Sequence, residues 1–461
     1  MTARRGDIIR PAEPAAKQHI EREEWLKERL EWFQGLKLGL FLHWGIYAQW
    51  DCCESWPLVE DDTWARPDHL RCWNERNRDF ARFTKDYRAL NTTFNPTEFD
   101  PEAWADAATY AGMKYVNFTT KHHDGFCMWD TRTTDYRVTH PSCPFHSNPR
   151  ADIVDAVFSA FRARGLAISC YFSKSDWHSP YYWSPDAPAR TRNPNYDTSA
   201  HPERWDQFVR YTHRQVEELM TRYGRIDVLW LDGGQVRPPH QDIRMAQLAE
   251  MARQHQPGLI IADRTVGNEY EDFVTPEQLI PDEPLAVPWE SCMTMGDHWK
   301  YVPCDRYKTI DHLLRMLVEV VAKGGNLLLG VGPTPQGTLP EEALKRLRQI
   351  GDWLTINAEA IYKTHPVPPY HEGEIFFTSR GEWTYAIGFG PRMPEEISLR
   401  ALQPWSDSPV FLLGRDRPLR WRRDGNVARV SLNGPLGRTP LPQGPWVLKF
   451  SGSRQSSTES S

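Results

Sequence analysis

Short apolar runs alternate with amphipathic helical patterns from about residue 36 to residue 333, and this alternation restricts the fold more than any other feature. The apolar runs are Leu38–Leu42, Tyr115–Thr119, Leu166–Phe172, Ile226–Leu231, Leu259–Ala262, Leu285–Val287 and Leu327–Val331. The helical patterns are clearest at Pro101–Ala111, Ile153–Arg164, Arg204–Tyr223, Asp242–His255 and Thr309–Lys323. Strands that alternate with helices predict a parallel sheet with crossover helices. About seven or eight such repeats favour an α/β fold of the closed (β/α)8-like, TIM-type barrel kind over an open sheet.

A second, smaller domain is predicted after the barrel. A last helical pattern covers Pro340–Ala358, and the proline-rich stretch Thr364–Pro369 is typical of a linker. Beyond it, short alternating runs at 375–378, 383–389 and 427–432 are broken by Gly and Pro, which predicts a small antiparallel β-sandwich. The predicted division is an N-terminal extension (1–24), the barrel (25–363), the β-sandwich (364–452) and a disordered tail (453–461).

Composition and charge exclude several classes of protein. The chain is 40% hydrophobic and 25% charged, which is typical of a soluble globular protein. A net charge of -6 argues against a general nucleic-acid binder, which would carry a basic face. No apolar run is long enough to span a membrane, and Met1–Lys27 has no apolar signal segment, so a cytoplasmic location is expected. Eight scattered cysteines without a CxxC pair fit reduced thiols, and no glycine-rich phosphate loop follows any strand.

Ionisable and aromatic side chains follow nearly every predicted strand. The carboxyl ends of the strands of a (β/α)8 barrel form one rim, where the active site lies. The residues at these ends are His43 and Trp44, Lys121–Asp124, Ser173–His178, Asp232, Asp263 with Arg264, and Trp289 with Glu290. If each of these residues merely capped the turn after its own strand, His, Trp, Asp, Glu and Arg would not be expected to concentrate at one rim. The sequence therefore predicts an active site there.

Two carboxylates stand out among these residues. Asp232 follows a buried run rich in branched side chains and precedes two glycines that let the backbone turn sharply. Glu290 follows a different run, so the two side chains are expected to approach from separate walls of one pocket. A glycosidase needs such a pair, and the neighbouring Trp230 and Trp289 would raise the pKa of an acid by desolvation. The alternatives are a turn cap for Asp232 and a salt-bridged rim residue for Glu290.

Three histidines, His43, His122 and His123, raise the alternative of a metal site. Adjacent residues of a strand point to opposite faces, so His122 and His123 are not expected to chelate one ion together. They also lack the helical HExxH spacing, and hydrogen bonding to a polyhydroxylated ligand is the favoured interpretation. A serine or cysteine nucleophile is poorly supported, because no GxSxG motif occurs and Cys170 and Cys292 have no recognisable activating partner.

Several separated motifs give the chain a resemblance to a known family. They are LGLFLHWG at 38–45, AGMKYVNFTTKHHDGFCMWDT at 111–131, VLWLDGG at 228–234, Trp-Glu-Ser at 289–291 followed by Trp299, GGNLLLGVGPTPQGTLP at 324–340 and INAEAIY at 356–362. Together, and in this order, they resemble the α-L-fucosidase family, glycoside hydrolase family 29, from about Trp25 to Tyr362.

The resemblance implies a retaining exo-glycosidase that removes terminal α-L-fucose from fucosylated glycans or small fucosides. It implies Asp232 as the nucleophile and Glu290 as the acid/base. The sugar-binding residues that it implies are His43, Glu54, Trp73, His122, His123, Tyr171 and Arg264. No cofactor, metal, nucleic acid or membrane partner is expected, and the oligomeric state is left open, a homo-oligomer included.

The loop from Gln49 to Phe80 departs from the commoner pattern of this family. The sequence has Glu54-Ser55-Trp56 and Cys72-Trp73-Asn74, so the outer pocket is expected to differ from that of other members. The alternatives to an α-L-fucosidase are a related exo-glycosidase of different sugar specificity, a non-catalytic carbohydrate-binding protein and a metal-dependent hydrolase that uses the histidines.

Overall fold

The structure is a computed structural model that describes residues 23–390, 393–432 and 444–454. Its helices are α1 (Glu24–Leu36), α2 (Arg71–Asn74), α3 (Phe80–Arg88), α4 (Pro101–Tyr110), α5 (Ile153–Ala163), α6 (Pro202–Arg222), α7 (Met245–His255), α8 (Ile310–Ala322) and α9 (Glu341–Asn357). The strands of its first part are β1 (Leu38–Leu42), β2 (Tyr115–Lys121), β3 (Ala167–Ser173), β4 (Val228–Asp232), β5 (Ile260–Asp263), β6 (Glu290–Thr294) and β7 (Asn326–Val331). The predicted extension 1–24 and tail 453–461 fall largely outside the described residues.

These seven strands form one parallel sheet in the order β5-β4-β3-β2-β1-β7-β6. The strands are buried almost throughout, as expected for a parallel sheet covered by helices on its outer face. Three of the crossover helices, α4, α5 and α8, begin at an Asp or Thr whose side chain caps the helix, in line with the known cap preference. Asp100 accepts from the backbone N–H of Ala103 at the start of α4, and Asp152 accepts from that of Asp155 at the start of α5. The predicted TIM-type barrel is confirmed.

An irregular segment, 271–278, joins the two edges of this sheet. The N–H of Asp272 donates to the carbonyl of Ile261 on β5, and the N–H of Gln278 donates to the carbonyl of Cys292 on β6. The segment pairs with β5 and β6 through isolated bridges rather than a continuous ladder. It therefore stands in the position of an eighth strand and carries its side chains to the same rim as the strands beside it.

Helix α1 covers the opposite, amino-terminal end of the barrel. The ring of Phe33 lies 5.5 Å from that of Tyr115, the first residue of β2. Gly39 is paired with Tyr115 across β1 and β2, and a Cβ at Gly39 would lie 2.3 Å from the tyrosine ring. The glycine thus leaves the interior space that the ring of Tyr115 fills, and the barrel is packed and closed below its rim.

Two boundary predictions are wrong. The run Leu285–Val287 is not a strand, and the sixth strand begins at Glu290 instead. The stretch Thr364–Pro369 is not a linker, since most of it belongs to the strand His365–Glu372. That strand lies at the edge of its sheet, where proline is tolerated because no ladder hydrogen bond is needed from its nitrogen.

The C-terminal part consists of antiparallel sheets. Its strands are β8 (His365–Glu372), β9 (Ile375–Arg380), β10 (Trp383–Gly388), β11 (Glu396–Leu399), β12 (Leu402–Pro404), β13 (Phe411–Leu412), β14 (Arg420–Asp424), β15 (Val427–Ser431), β16 (Trp446–Phe450) and β17 (Gly452–Arg454). The sheets β13-β16-β10-β9-β8 and β11-β15-β14 share one apolar core, to which Phe377 and Leu448 contribute from the first and Leu399 and Val430 from the second. Within the described ranges, the helices are all too short or too polar to cross a bilayer.

Candidate active site

Asp232 is the last residue of β4, so its side chain stands at the carboxyl end of the barrel. Tyr171 on β3 donates its hydroxyl to Oδ2 at 2.7 Å, and Arg264, directly after β5, donates from Nη1 to Oδ1 at 2.8 Å. Although burial alone would raise the pKa of Asp232, the charge of Arg264, helped by the hydrogen bond from Tyr171, brings that pKa well below its usual range. The carboxylate is therefore ionised at neutral pH, and its side chain is still 21% exposed to the pocket.

The guanidinium of Arg264 joins Asp232 to a second carboxylate, that of Glu277. Nη2 donates to Glu277 Oε2 at 2.7 Å, while Nε donates to Thr275 Oγ1 at 2.9 Å. The guanidinium also lies 4.1 Å from the centre of the Trp230 ring, which fixes its plane. Glu277 belongs to the segment that closes the barrel, and its side chain is 49% exposed. A second carboxyl group thus stands beside Asp232 at the rim, with access to solvent.

Glu277 was absent from the residues predicted from sequence. It follows no apolar run, because the segment that carries it pairs irregularly with its neighbours. The sequence contains no signal that would have marked it beyond its being an acidic residue soon after Arg264.

Three histidine rings line the pocket, and a hydroxyl group contacts Nδ1 of each. The partners are Tyr47 for His43, Ser55 for His122, and Ser173 together with Ser175 for His123. Nε2 is consequently the ring nitrogen that is left to face a ligand. For His123, Nε2 lies 3.7 Å from Asp232 Oδ2, so this ring borders the carboxylate directly.

The histidine rings are neutral at neutral pH. Burial lowers the pKa of His43 to about 3 and that of His123 to about 4, and it also lowers the pKa of His122. A neutral imidazole whose Nδ1 is held by a hydroxyl presents one donor or acceptor at Nε2. Such groups suit the hydroxyl groups of a sugar, which both donate and accept.

His122 and His123 both face the pocket, contrary to the expectation that adjacent residues point to opposite sides. Strand β2 ends at Lys121, so the alternation of the strand stops before the two histidines. Their ring centroids are 4.3 Å apart. One donor atom from each, together with one oxygen of Asp232, lie within 4.8 Å of one another. The prediction that the two imidazoles point apart is wrong.

Glu290 lies in the interior of the barrel below the rim, since it is the first residue of β6 rather than the residue after a strand. Oε2 accepts from the Tyr115 hydroxyl at 2.6 Å, Oε1 accepts from Trp230 Nε1 at 3.0 Å, and the residue is 1% exposed. Burial raises the pKa of Glu290 to about 7, against the two hydrogen bonds, which lower it. The expectation that Glu290 ends a strand at the rim is therefore wrong. Trp289, its predicted neighbour, packs instead over Gly325.

Glu54 lies behind the histidines rather than among them. It is buried, and its carboxylate accepts from Cys53 Sγ at 3.1 Å and from the backbone N–H of Lys300 at 3.3 Å. The next residue, Ser55, makes the hydrogen bond to His122. The carboxylate of Glu54 is therefore enclosed by protein groups, and it is the neighbouring Ser55 that contacts a histidine of the pocket.

Trp73 is not brought to the histidines. Its ring packs on Phe83 at a centroid distance of 5.4 Å. Another residue of the same loop, Trp56, takes the position beside the pocket, with its ring 4.9 Å from His123 and 5.6 Å from Trp177. Sequence reasoning missed Trp56, although it stands two residues after Glu54 in the loop that departs from the family pattern.

Trp299 forms a second aromatic wall that was given no role from sequence. Its ring stacks near His43 at a centroid distance of 6.1 Å and lies 5.5 Å from Phe41. A Cβ at Gly330 would lie 2.8 Å from this ring, so the glycine of β7 makes room for it. With Trp56 on the far side, aromatic faces border the rim on two sides, as is common where sugars bind.

Hydrolysis of a glycosidic bond requires paired carboxyl groups and side chains that hold hydroxyl groups. A TIM-type barrel that brings both to its rim has the parts that a glycoside hydrolase needs. The chain belongs to the α-L-fucosidase family, because the model of that family matches residues 10–359.

Named relatives agree with this membership. The plasma α-L-fucosidase of Rattus norvegicus is 29% identical over 417 residues, which cover 85% of this chain and 84% of that protein. The tissue α-L-fucosidase of the same species is 27% identical over 452 residues, which cover 91% of this chain and 89% of that protein.

Solved structures of α-L-fucosidases share the fold over nearly the whole chain. Isoenzyme 1 from Paenibacillus thiaminolyticus superposes with a TM-score of 0.76 at 29% identity and covers 93% of this chain and 100% of its own. The Thermotoga maritima enzyme in complex with fucose superposes with a TM-score of 0.74 at 27% identity, and the match covers 93% of this chain and 99% of that enzyme. The same enzyme is known in complex with a mechanism-based inhibitor.

Proposed function

We propose that the protein is a retaining exo-α-L-fucosidase in which Asp232 is the nucleophile and Glu277 is the general acid/base. The fucoside substrate is supported by family membership and by the fucose bound to the Thermotoga maritima relative. The observation that carries the residue assignment is the single guanidinium, that of Arg264, shared by the two carboxylates. Carboxyl pairs of retaining glycosidases stand about 5–5.5 Å apart, a spacing that one shared guanidinium favours.

Asp232 attacks the anomeric carbon and forms a covalent fucosyl–enzyme, while the bond to the leaving oxygen breaks. Its two hydrogen bonds, from Tyr171 and Arg264, hold the carboxylate in one orientation. Water then attacks the same carbon, releases Asp232 and gives fucose with its original anomeric configuration. The mechanism-based inhibitor of the Thermotoga maritima relative supports a covalent step of this kind.

Glu277 protonates the leaving oxygen in the first step and deprotonates the incoming water in the second. Its exposure supports this role, because the acid must reach an oxygen that points out of the pocket. Glu290 is the rival assignment. Its pKa of about 7 suits a general acid, but both of its oxygens accept hydrogen bonds in the interior and it is 1% exposed.

The neutral rings of His43, His122 and His123 bind the hydroxyl groups of the fucose. The aromatic faces of Trp56 and Trp299 border the sugar and exclude water from the pocket. A pocket bounded in this way accepts a terminal sugar, which supports exo action.

Azide rescue separates the two acid/base assignments. Glu277→Ala is expected to hydrolyse poorly activated fucosides about 10²–10⁴-fold more slowly than wild type. Added azide should restore turnover of an aryl α-L-fucoside with a good leaving group, because azide attacks the fucosyl–enzyme without needing a base. The product should be the fucosyl azide with the configuration expected of double displacement.

Glu290→Ala is the matched comparison, and melting curves show whether each variant folds. Rescue of Glu290→Ala but not of Glu277→Ala would return the acid/base role to Glu290. Wild-type protein that leaves aryl α-L-fucosides intact would overturn the proposed function itself, and a panel of other aryl glycosides would follow.

A further inference from the structure

Two neutral imidazoles and a carboxylate converge at the centre of the pocket. A donor atom from His122, one from His123 and an oxygen of Asp232 all lie within 4.8 Å of one another. Ligand atoms that each lie about 2.0–2.2 Å from a zinc ion are closer to one another than 4.8 Å. Small rotations of the three side chains would bring the donor atoms to that spacing. His123 Nε2 and Asp232 Oδ2 lie 3.7 Å apart.

The surroundings of these donors resemble those of metal ligands in proteins. Metal-binding histidines usually have their other ring nitrogen held by an oxygen, which fixes the orientation of the ring. Here Ser55 Oγ contacts Nδ1 of His122, and Ser173 Oγ lies 2.6 Å from Nδ1 of His123. Both histidines are buried, while Asp232 opens to the pocket, so open coordination positions face the mouth.

We propose that the pocket binds one divalent transition-metal ion of the zinc type through His122, His123 and Asp232, in competition with the sugar. Two nitrogens and one carboxylate oxygen favour Zn²⁺ and Cu²⁺ over Mg²⁺ and Ca²⁺, which prefer oxygen ligands. The ion coordinates the carboxylate of Asp232, which is the proposed nucleophile, so metal binding inhibits the reaction rather than assisting it. The inhibitory part of this inference rests on the proposed function, whereas the binding part does not.

The charge of Arg264 limits the affinity. Its Nη1 lies 2.8 Å from Asp232 Oδ1, so a bound dication stands near a guanidinium that cannot lose its proton. We therefore expect binding in the micromolar range, well short of the affinity of structural zinc sites. A weak site of this kind is emptied by substrate and by chelators.

Calorimetry with ZnCl2 tests the binding directly, and Cys304→Ser is the background because Cys304 is an exposed thiol that would also bind zinc. One zinc ion should bind per chain, and saturating L-fucose should weaken binding at least tenfold. His123→Gln and Asp232→Ala should each weaken it at least tenfold as well, while MgCl2 should give no heat of binding.

His298→Gln is the matched control, because His298 forms an imidazole–carboxylate pair with Asp305 at 3.0 Å outside the proposed site. Its zinc affinity should equal that of the background. Binding that survives both His123→Gln and Asp232→Ala, or that is lost only in His298→Gln, would overturn the inference.

Kinetics test the competition. Zinc should raise KM for an aryl α-L-fucoside and leave kcat unchanged, and a chelator should reverse the effect. A lowered kcat with constant KM would contradict the proposed location. Absence of any fucoside hydrolysis would count against the proposed function, while the calorimetric result would still decide whether the metal site exists.

Discussion

The barrel holds two carboxylates, one at the rim and one buried in the interior, that make similar hydrogen bonds and behave in opposite ways. Asp232 at the rim and Glu290 in the interior each accept from a tyrosine hydroxyl, at 2.7 Å and 2.6 Å. The second donor is the charged guanidinium of Arg264 for Asp232, and the neutral indole of Trp230 for Glu290. The pKa of Asp232 is accordingly lowered, whereas burial raises that of Glu290 to about 7. A neighbouring cation, more than hydrogen bonding, decides which carboxylate is ionised.

Their positions along the strands explain why only Asp232 is hydrogen-bonded to the cation. Asp232 ends its strand and meets Arg264, which follows β5 at the same rim. Glu290 begins its strand and faces the interior layer of Tyr115 and Trp230. The rim provides charge and access for chemistry, and the interior provides only apolar packing and neutral donors.

The largest expected difference between the two regions is in turnover. Asp232→Ala should lower kcat for an aryl α-L-fucoside by about 10⁴-fold or more, as removal of a nucleophile does in other enzymes. The fold should persist, since Asp232 is partly exposed and its loss leaves no large cavity. Steady-state kinetics and a melting curve of the same preparation measure both effects.

Glu290→Gln serves as the interior comparison for that experiment. If it lowered kcat as far as Asp232→Ala while remaining folded, the separation of a reactive rim from a structural interior would fail. Substantial residual activity in Asp232→Ala would equally contradict the nucleophile assignment.

The second prediction concerns stability and follows from the raised pKa of Glu290. A carboxyl group with a pKa of about 7 when folded and near 4.5 when unfolded favours folding while it is protonated. Below about pH 4.5 it is protonated in both states, so its contribution is complete there. As the pH rises towards 7 the unfolded chain alone releases the proton, and about 3 kcal/mol of stability is lost.

Glu290→Gln should remove this dependence. The amide keeps the shape, accepts from Trp230 through its oxygen and donates to the Tyr115 hydroxyl through its nitrogen. In urea unfolding, the stability of the variant relative to wild type should rise by about 2.5 kcal/mol between pH 5 and pH 8. If the difference in the free energy of unfolding between Glu290→Gln and wild type were the same at both pH values, Glu290 would not be held neutral in the folded protein.

The same comparison shows what the sequence could predict. Asp232 was predicted correctly as the end of a strand because an unbroken run of branched apolar residues leads directly to it. Glu290 was misassigned because Leu285–Val287 resembles such a run, although the chain forms no strand until Glu290 itself. The strand-like apolar pattern cannot distinguish a residue that begins a strand from one that follows it when the run is short.

Other parts of the site depend on contacts between distant segments. Glu277 reaches Arg264 only because the segment 271–278 closes the barrel through isolated bridges, which have no periodic pattern in sequence. Trp56 rather than Trp73 stands beside His123 because of how the loop 49–80 folds over the rim. The fold follows from local patterns, whereas these side chains are positioned by tertiary packing.

The smallest expected effect compares two serines on the same face of β3. Ser173 at the rim lies 2.6 Å from Nδ1 of His123, and Ser169 in the interior donates to Asn117 Oδ1 at 3.0 Å. Ser173→Ala should lower kcat/KM by about three- to tenfold, because a partner that orients the ring is lost while Ser175 still contacts Nδ1. Ser169→Ala should leave kcat/KM unchanged and lower only the melting temperature. Equal kinetic effects of the two substitutions would mean that both hydroxyl groups act through general packing of the strand. The division between a reactive rim and a structural interior would then not fall between Ser169 and Ser173.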